Sequence, residues 1–229
     1  MSRQKELPKV LSSDERAAFL GTFNRRYQGS FRNLVAARLM LDCGLRAGEV
    51  VALRPEHVSL ESRRLMVREG KGAKDRVLYM SAELRDLIAD WLERRPEGPW
   101  LVGTRDGGQL DTRYLRTMVK RQACKAGIAE CERISPHTLR HSFATQLYRE
   151  TKDLIAVKEA LGHEDIGTTQ IYAHLANGEV EAGMRGLWGQ DDRDEAARQA
   201  EIDELAEGIL EVLPADVRAA LRRRLEDGE

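Results

Sequence analysis

Residues 135–172 have the sequence SPHTLRHSFATQLYRETKDLIAVKEALGHEDIGTTQIY. The prediction of the fold depends on this stretch more than on any other. Ser135 and Pro136 are typical of a helix N-cap and first helical position, where proline loses no hydrogen bond. His137 and Arg140 then lie three residues apart on the first turn, so they share a face. The free amides of such a turn favour an anion, and an arginine fork can hold phosphate oxygens. Taken alone, the pair is more typical of a solvated helix end.

The composition predicts a cytoplasmic globular protein. Its 229 residues are 41% hydrophobic, which is enough for one large domain with a core. Apolar runs are short and broken by charge, and the N-terminus has no signal-peptide core, so we expect neither a membrane span nor export. Cys43, Cys124 and Cys131 are odd in number and show no CxxC spacing, so we expect buried thiols rather than a disulfide or a zinc site.

The formal net charge of −1 conceals an asymmetry between two parts of the chain. Residues 190–229 hold 13 acidic and 6 basic side chains, whereas residues 1–189 hold 25 acidic and 31 basic ones. A basic body is compatible with phosphate binding, although ordinary solvated surface gives the same count. We predict a folded domain at residues 1–185, followed by a linker and an acidic helical tail at 186–229. The apolar stripes of this tail must bury against the body, each other or a second protomer, as an oligomerisation element would.

Hydrophobic periodicity predicts a mainly α-helical fold with a small antiparallel β-sheet, an α+β domain. Short alternating runs predict strands at 58–60, 65–67 and 77–79, and a glycine-rich turn joins the last two. Helical spacing, capping residues and glycine stops predict helices at about residues 12–26, 31–42, 81–94, 112–126, 152–160 and 165–182, with two more that begin near 45 and 135.

Two segments upstream offer polar side chains that local structure does not require. Arg46 and Glu49 lie three residues apart at the start of a short helix. They form either a surface ion pair, which is worth little, or an arginine fork oriented by a carboxylate. Lys71 stands between Gly70 and Gly72 in the hairpin turn, where glycines let the backbone approach a partner closely. A solvated hairpin tip would carry the same lysine.

Other cations are candidate DNA contacts. The predicted helix 112–126 is the most basic in the chain, which favours a phosphate contact but also fits an ordinary cationic face. Our candidate DNA-binding residues are Lys74, Arg76, Arg113, Arg116, Lys120 and Arg121.

Six side chains together suit the chemistry of a phosphodiester: Arg46, Lys71, His137, Arg140, His163 and Tyr172. Arginine forks neutralise charge that develops on phosphate oxygens in the transition state. A tyrosine can act as a nucleophile if its neighbours help to ionise a hydroxyl whose ordinary pKa is about 10. A lysine can protonate a departing sugar oxygen. No Asp/Glu set stands at ligand spacing, so we expect no metal.

These motifs resemble the sequence boxes of the tyrosine recombinase (phage integrase) family. GLRAGEV at 44–50 resembles its first arginine box, and GKGAKDR at 70–76 resembles its β-hairpin lysine. HTLRHSFAT at 137–145 is similar to its H-x-x-R box. LGH at 161–163, followed by Tyr172, is similar to its third box and nucleophile. The matches keep the family's order and spacing, and they imply the fold of a tyrosine-recombinase catalytic domain.

The resemblance also implies the steps of a reaction. Tyr172 would attack a DNA phosphodiester and form a 3′-phosphotyrosyl link. Lys71 would protonate the departing 5′-oxygen, and His137 would act as base toward the tyrosine. Because the phosphotyrosine keeps the bond energy, rejoining would need neither ATP nor another cofactor.

The resemblance assigns the remaining residues to the phosphate and its surroundings. Arg46 and Arg140 would clamp the scissile phosphate, His163 would hydrogen-bond it, and Glu49 would orient the site. The implied partner is double-stranded DNA, held by a homo-oligomer that is tetrameric in the synapse and compatible with an accessory DNA-bending protein.

Family members commonly carry an N-terminal helical domain. We expect it to be missing because about ten residues precede the matched part, as in short integrases and fimbrial-switch invertases. Two alternative functions stay open. A type IB topoisomerase-like enzyme would use the same chemistry on one duplex, and a catalytically silent DNA-binding protein would keep the fold without the reaction.

Overall fold

The structure, a computed structural model, describes residues 9–68, 75–162 and 169. These residues form seven α-helices, two short 3-10 helices and three strands. The predicted mainly helical fold with a small antiparallel sheet is confirmed for these residues. None of their helices is long and apolar enough to cross a bilayer. The helices are α1 (Ser13–Gly21), α2 (Gln28–Asp42), α3 (Ala47–Ala52), α4 (Ala82–Arg94), α5 (Thr112–Lys125), α6 (Pro136–Thr151) and α7 (Leu154–Leu161).

Several predictions fall outside these residues. They are residues 70–74 of the hairpin turn predicted at 70–76, the helix predicted at 165–182 apart from residue 169, and the tail at 186–229. The division of the chain at residue 185 therefore stays a prediction.

The small sheet is formed by β1 (Val58–Ser59), β2 (Arg64–Val67) and β3 (Arg76–Tyr79), in that spatial order and antiparallel throughout. Leu65 of β2 pairs with Leu78 of β3, and alternation places both on the buried face. The same alternation turns Arg76 inward, two residues before Leu78. An arginine on the inner face of a strand is unusual, and it is central to the site described below.

The core forms around α2, whose apolar side chains are buried along most of its length. Phe31 of α2 meets Trp91 of α4 edge to face, with ring centroids 5.4 Å apart. The indole Nε1 of Trp91 donates to the carbonyl oxygen of Leu101 at 2.8 Å, so its one polar atom is satisfied. Leu101 in turn donates its amide to the carbonyl of Leu53, which fixes the loop after α4 against the end of α3.

Helix α1 is shorter than periodicity predicts. The expected capping box is present, since Ser12 Oγ accepts from the Glu15 amide and the Glu15 carboxylate accepts from the Ser12 amide. The helix ends at Gly21 rather than near Arg26, because Asn24 forms a turn through its side chain and α2 begins earlier than expected.

Helices α6 and α7 pack through a separate apolar cluster of Ala144, Val157 and Leu161. Lys152 adopts a left-handed conformation that ends α6, and Asp153 caps α7 by accepting from two of its first amides. The predicted helix therefore starts two residues later than expected. This hairpin brings the end of α7 back toward the start of α3.

A disulfide joins Cys124 at the end of α5 to Cys131 in a short 3-10 turn. The expectation of unpaired thiols is wrong for this pair. The chain reverses at Gly127, whose φ of +72° suits glycine, and so brings the two cysteines together. Cys43 is the buried free thiol among the described residues, and burial raises its pKa to about 12.

We expect reduction of the Cys124–Cys131 disulfide to lower the free energy of unfolding by about 2 kcal/mol, because the unfolded chain regains the freedom of the closed loop. Thermal unfolding with and without dithiothreitol measures the effect. A Cys124→Ser/Cys131→Ser variant should melt at the same lower temperature under both conditions. Identical melting of the wild-type protein with and without reductant would refute the prediction.

Candidate active site

The carboxylate of Glu49 lies at the centre of an arginine cluster, with 9% of its side chain exposed. Arg46 donates its backbone amide to Oε2 at 2.7 Å and its Nη1 to Oε1 at 2.9 Å. Arg76 donates Nη1 to Oε1 at 3.0 Å and Nη2 to Oε2 at 2.9 Å, which is a bidentate pair. Nη1 of Arg140 lies 3.9 Å from Oε2. The predicted contact between Arg46 and Glu49 is confirmed, and it belongs to a larger cluster than the sequence indicated.

The same three arginines hold the C-terminal end of α7. The last carbonyls of a helix have no partner within the helix, and they form the negative end of its dipole. Each of the consecutive carbonyls at 160–162 accepts from a different guanidinium. The three hydrogen bonds join Arg76 Nε to Ala160 at 2.9 Å, Arg140 Nη2 to Leu161 at 2.6 Å, and Arg46 Nη2 to Gly162 at 3.4 Å.

Arg140 is buried beneath this cluster, with 5% of its side chain exposed. Its Nη1 donates to the carbonyl of Gly44 at 2.6 Å. Gly44 has a φ of +64°, which disfavours any other residue, and a Cβ there would lie 2.3 Å from the Phe143 ring. Backbone conformation and space therefore both favour glycine at this position. The predicted glycine stop after α2 is confirmed. Its further role is to let Phe143 close over the turn whose carbonyl holds Arg140.

The two histidines of α6 occupy different environments. His137 is exposed on the first turn of α6, whereas Arg140 one turn later points inward. His137 and Arg140 were predicted to share one face of the helix, but His137 lies at the surface and Arg140 in the interior. His141 is partly buried, and desolvation, aided by the positive charges of His137 and Arg140, lowers its pKa from 6.5 to about 4.

Arg76 differs most from its predicted role. The sequence suggested a DNA contact, but its guanidinium is 8% exposed and donates to Glu49 and to the carbonyl of Ala160. Its Nε, Nη1 and Nη2 all donate to these internal acceptors, so Arg76 holds groups within the protein instead of forming the surface contact that was predicted. The signal that could have revealed this was the alternation of β3, since Leu78 and Arg76 must share a face.

The other predicted site residues divide into two groups. Arg113, Arg116, Lys120 and Arg121 are exposed on α5, and Lys120 forms an ion pair with Glu132. The remaining ones lie outside the described residues: Lys71, Lys74, His163 and Tyr172. The structure thus brings together Arg46, Glu49 and Arg140 from the predicted set and adds Arg76.

The arrangement is suited to an anion. Glu49 and its three arginines carry a net charge of +2 between them. Arg46 has 38% of its side chain exposed, so it forms the opening of the cluster toward solvent. A planar fork oriented by a carboxylate is pre-organised to bind phosphate oxygens with two parallel hydrogen bonds.

Metal-ligating side chains gather elsewhere in the described part of the chain. Cys124, Cys131 and Glu132 are the one group of three with ligand atoms close enough to share an ion. Its two sulfurs are joined in the disulfide, and a disulfide sulfur is not the thiolate that metals prefer.

The model of the phage integrase family matches residues 9–179, so the chain belongs to that family. Within it, the chain is 36% identical over 176 residues to tyrosine recombinase XerC of Actinobacillus succinogenes, and 37% identical over 175 residues to tyrosine recombinase XerA of Thermococcus kodakarensis. Each alignment covers 75% of this chain, which spans 58% and 60% of those relatives.

Solved structures give the same result for the fold. A crystal structure of XerA recombinase aligns with a TM-score of 0.69 and 29% identity, covering 81% of this chain and 66% of that one. The structure of XerH site-specific recombinase bound to palindromic difH substrate aligns with a TM-score of 0.70 and 30% identity, covering 80% and 55%.

The lowered pKa of His141 predicts a pH-dependent stability. The unfolded chain binds a proton near pH 6.5 that the native protein does not bind until about pH 4, so the stabilisation is complete above pH 6.5 and decreases as the pH falls toward 4. We expect His141 to account for a loss of about 2 kcal/mol between pH 7 and 4.5. Urea denaturation at both pH values measures it. His141→Gln should remove this part of the dependence, and equal losses in the two proteins would contradict the assignment.

Proposed function

We propose that the chain cleaves and rejoins DNA at specific sites as a tyrosine recombinase of the integrase or invertase type. The observation that carries this proposal is the convergence of Arg46 and Arg140 on Glu49, from two segments that lie far apart in the sequence. The names of the relatives support it, and so does the palindromic difH substrate to which XerH site-specific recombinase is bound. Double-stranded DNA is therefore the partner that we propose for this chain.

In the proposed reaction, Arg46 and Arg140 bind the non-bridging oxygens of the scissile phosphate and neutralise charge in the transition state. Tyr172 attacks phosphorus, and its phenolic proton passes to His137. The bond from phosphorus to the 5′-oxygen breaks, and that oxygen takes a proton from Lys71.

The product of this step is a 3′-phosphotyrosyl link and a free 5′-hydroxyl. His163 hydrogen-bonds the phosphate in the same scheme. A 5′-hydroxyl from another strand reverses the step, so each cleaved bond is replaced by a phosphodiester of equal energy and no ATP is consumed.

Strand exchange between two duplexes requires four cleavages, and this fits a tetramer on DNA. We propose that the apolar stripes of the tail at 186–229 contribute to contacts between protomers, because an amphipathic stripe must bury its apolar side. An accessory DNA-bending protein is compatible with this assembly.

We expect a covalent protein–DNA adduct that depends on Tyr172. The wild-type protein is incubated with a pool of nicked duplexes of random sequence, in which cleavage next to the nick releases a short strand and traps the intermediate. Adducts that survive denaturation are purified, and their DNA is sequenced. Tyr172→Phe should form none, because phenylalanine has no nucleophilic oxygen.

Tyr27→Phe is the matched control, since Tyr27 is 69% exposed and has no part in the proposed reaction. It should form adducts at the wild-type level. Adducts in Tyr172→Phe would overturn the choice of nucleophile. DNA binding without adducts in the wild type would favour a silent DNA-binding protein. Relaxation of supercoiled DNA without joining of two sites would favour a topoisomerase-like enzyme.

The exposed cations of α5 make a separate prediction about DNA binding. The logarithm of the association constant for DNA falls linearly with the logarithm of the salt concentration. Replacing Arg113, Arg116 or Arg121 with glutamine should make this slope less steep by about 0.9 for each phosphate that is no longer neutralised. Fluorescence anisotropy with a short duplex of arbitrary sequence, measured over a salt series, gives the slope. Arg26→Gln, which removes an exposed arginine elsewhere, should leave it unchanged. Unchanged slopes in all three α5 variants would show that this helix does not contact DNA.

A further inference from the structure

Arg76 is the buried basic residue of the three described strands, and a buried guanidinium must be stabilised by its surroundings. It lies on the inner face of β3, in line with Leu78 and opposite Val67 of β2, two apolar side chains of the core. Burying a guanidinium is expensive unless its donors are paired with good geometry. Arg76 meets that condition through both oxygens of Glu49 and the carbonyl of Ala160.

The bidentate pair with Arg76 fixes the plane of the Glu49 carboxylate. The same two oxygens accept from Arg46, one from its backbone amide and the other from its guanidinium. Arg76 and Arg46 therefore meet on one carboxylate, with each oxygen shared between them. A rotation of that carboxylate would displace the Arg46 fork, which is the solvent-exposed part of the cluster.

Arg76 also sets the position of the last turn of α7. It holds the carbonyl of Ala160, and the next two carbonyls accept from Arg140 and Arg46. Because the three carbonyls belong to consecutive residues at one helix end, holding the first limits where the other two can lie. One guanidinium on β3 thus reaches both supports of the arginine pair: Glu49 and the end of α7.

We propose that Arg76 is a positioning residue for DNA cleavage, which holds Arg46 and Arg140 in the geometry that binds the scissile phosphate. This inference rests on the proposed function. Lysine cannot replace Arg76, because a single ammonium group cannot form the bidentate pair with Glu49 and reach the Ala160 carbonyl with the same planar fork. Loss of Arg76 therefore lowers the rate of the chemical step more than it lowers the affinity for DNA.

The test compares Arg76→Lys with Arg38→Lys. Arg38 forms a buried ion pair with Asp42 through Nε, at 2.5 Å, and Asp42 keeps a second partner in Arg16, as Glu49 keeps Arg46. Both variants thus remove one arginine from a carboxylate that retains another. The measurements are the rate of adduct formation at saturating DNA in a single turnover, the dissociation constant for DNA, and the melting temperature.

For Arg76→Lys we expect the cleavage rate to fall by about 100-fold, the size of effect that misplacing a catalytic group by about 1 Å produces. The dissociation constant should change by less than about 3-fold. Arg38→Lys should cleave at the wild-type rate below its melting temperature. A wild-type rate in Arg76→Lys, or an equal fall in Arg38→Lys, would overturn the inference.

A substrate with sulfur at the bridging 5′ position separates two routes of action. A thiolate is a good leaving group, so this substrate compensates for a lost general acid but not for a displaced phosphate clamp. It should leave the defect of Arg76→Lys in place. Recovery of the rate would show that Arg76 acts on the leaving group, and would overturn the proposed route through Glu49.

Glu49→Asp provides a second variant if Arg76→Lys does not fold. It keeps the charge and moves the carboxylate by one methylene, so it should also lower the cleavage rate with little change in DNA affinity. If both single variants fold, the two defects should be far less than multiplicative in the double variant, because both residues act through one contact. Fully multiplicative defects would overturn the inference. If the wild-type protein formed no adduct, both the proposed function and this inference would be overturned. The other outcomes concern Arg76 alone, so the two kinds of failure can be told apart.

Discussion

The buried carboxylate of Glu49 is the interaction on which the candidate site depends. A carboxylate with 9% exposure is stable as an ion only if cations and hydrogen-bond donors surround it, and three arginines from three segments do so. Each of these arginines also needs further acceptors, and the last carbonyls of α7 supply them. The acid, the arginines and the helix end are therefore mutually dependent, and removing one leaves the others with uncompensated charge or unpaired polar groups.

Local pattern was sufficient for much of the fold. Alternation predicted the three strands, and capping residues and glycine stops predicted most helices within a few residues of their bounds. The contact of Arg46 with Glu49 followed from a spacing of three residues on a helix. The role of Arg76 could have been predicted from its alternation with Leu78, but the lysine-rich turn before it favoured a surface assignment. In that case a strong local composition outweighed a correct periodic signal.

Other features could not be predicted from side-chain patterns, because they depend on backbone groups or on distant segments. The carbonyls at 160–162 belong to residues of no particular chemistry, and only the fold brings them to the arginines. The Cys124–Cys131 disulfide depends on a chain reversal at Gly127 that no cysteine spacing encodes. Arg140 was expected beside His137 on an open helix start, yet its side chain turns inward because Gly44 and Leu161 offer acceptors there.

The row of carbonyls at the end of α7 has a consequence for engineering. Sequence boxes suggest parts that could be moved separately between proteins, but here each arginine is completed by main-chain atoms of another segment. The three arginines and the acceptors named for them all lie between Gly44 and Gly162, so a single box moved into an unrelated scaffold would carry a charge without its acceptors.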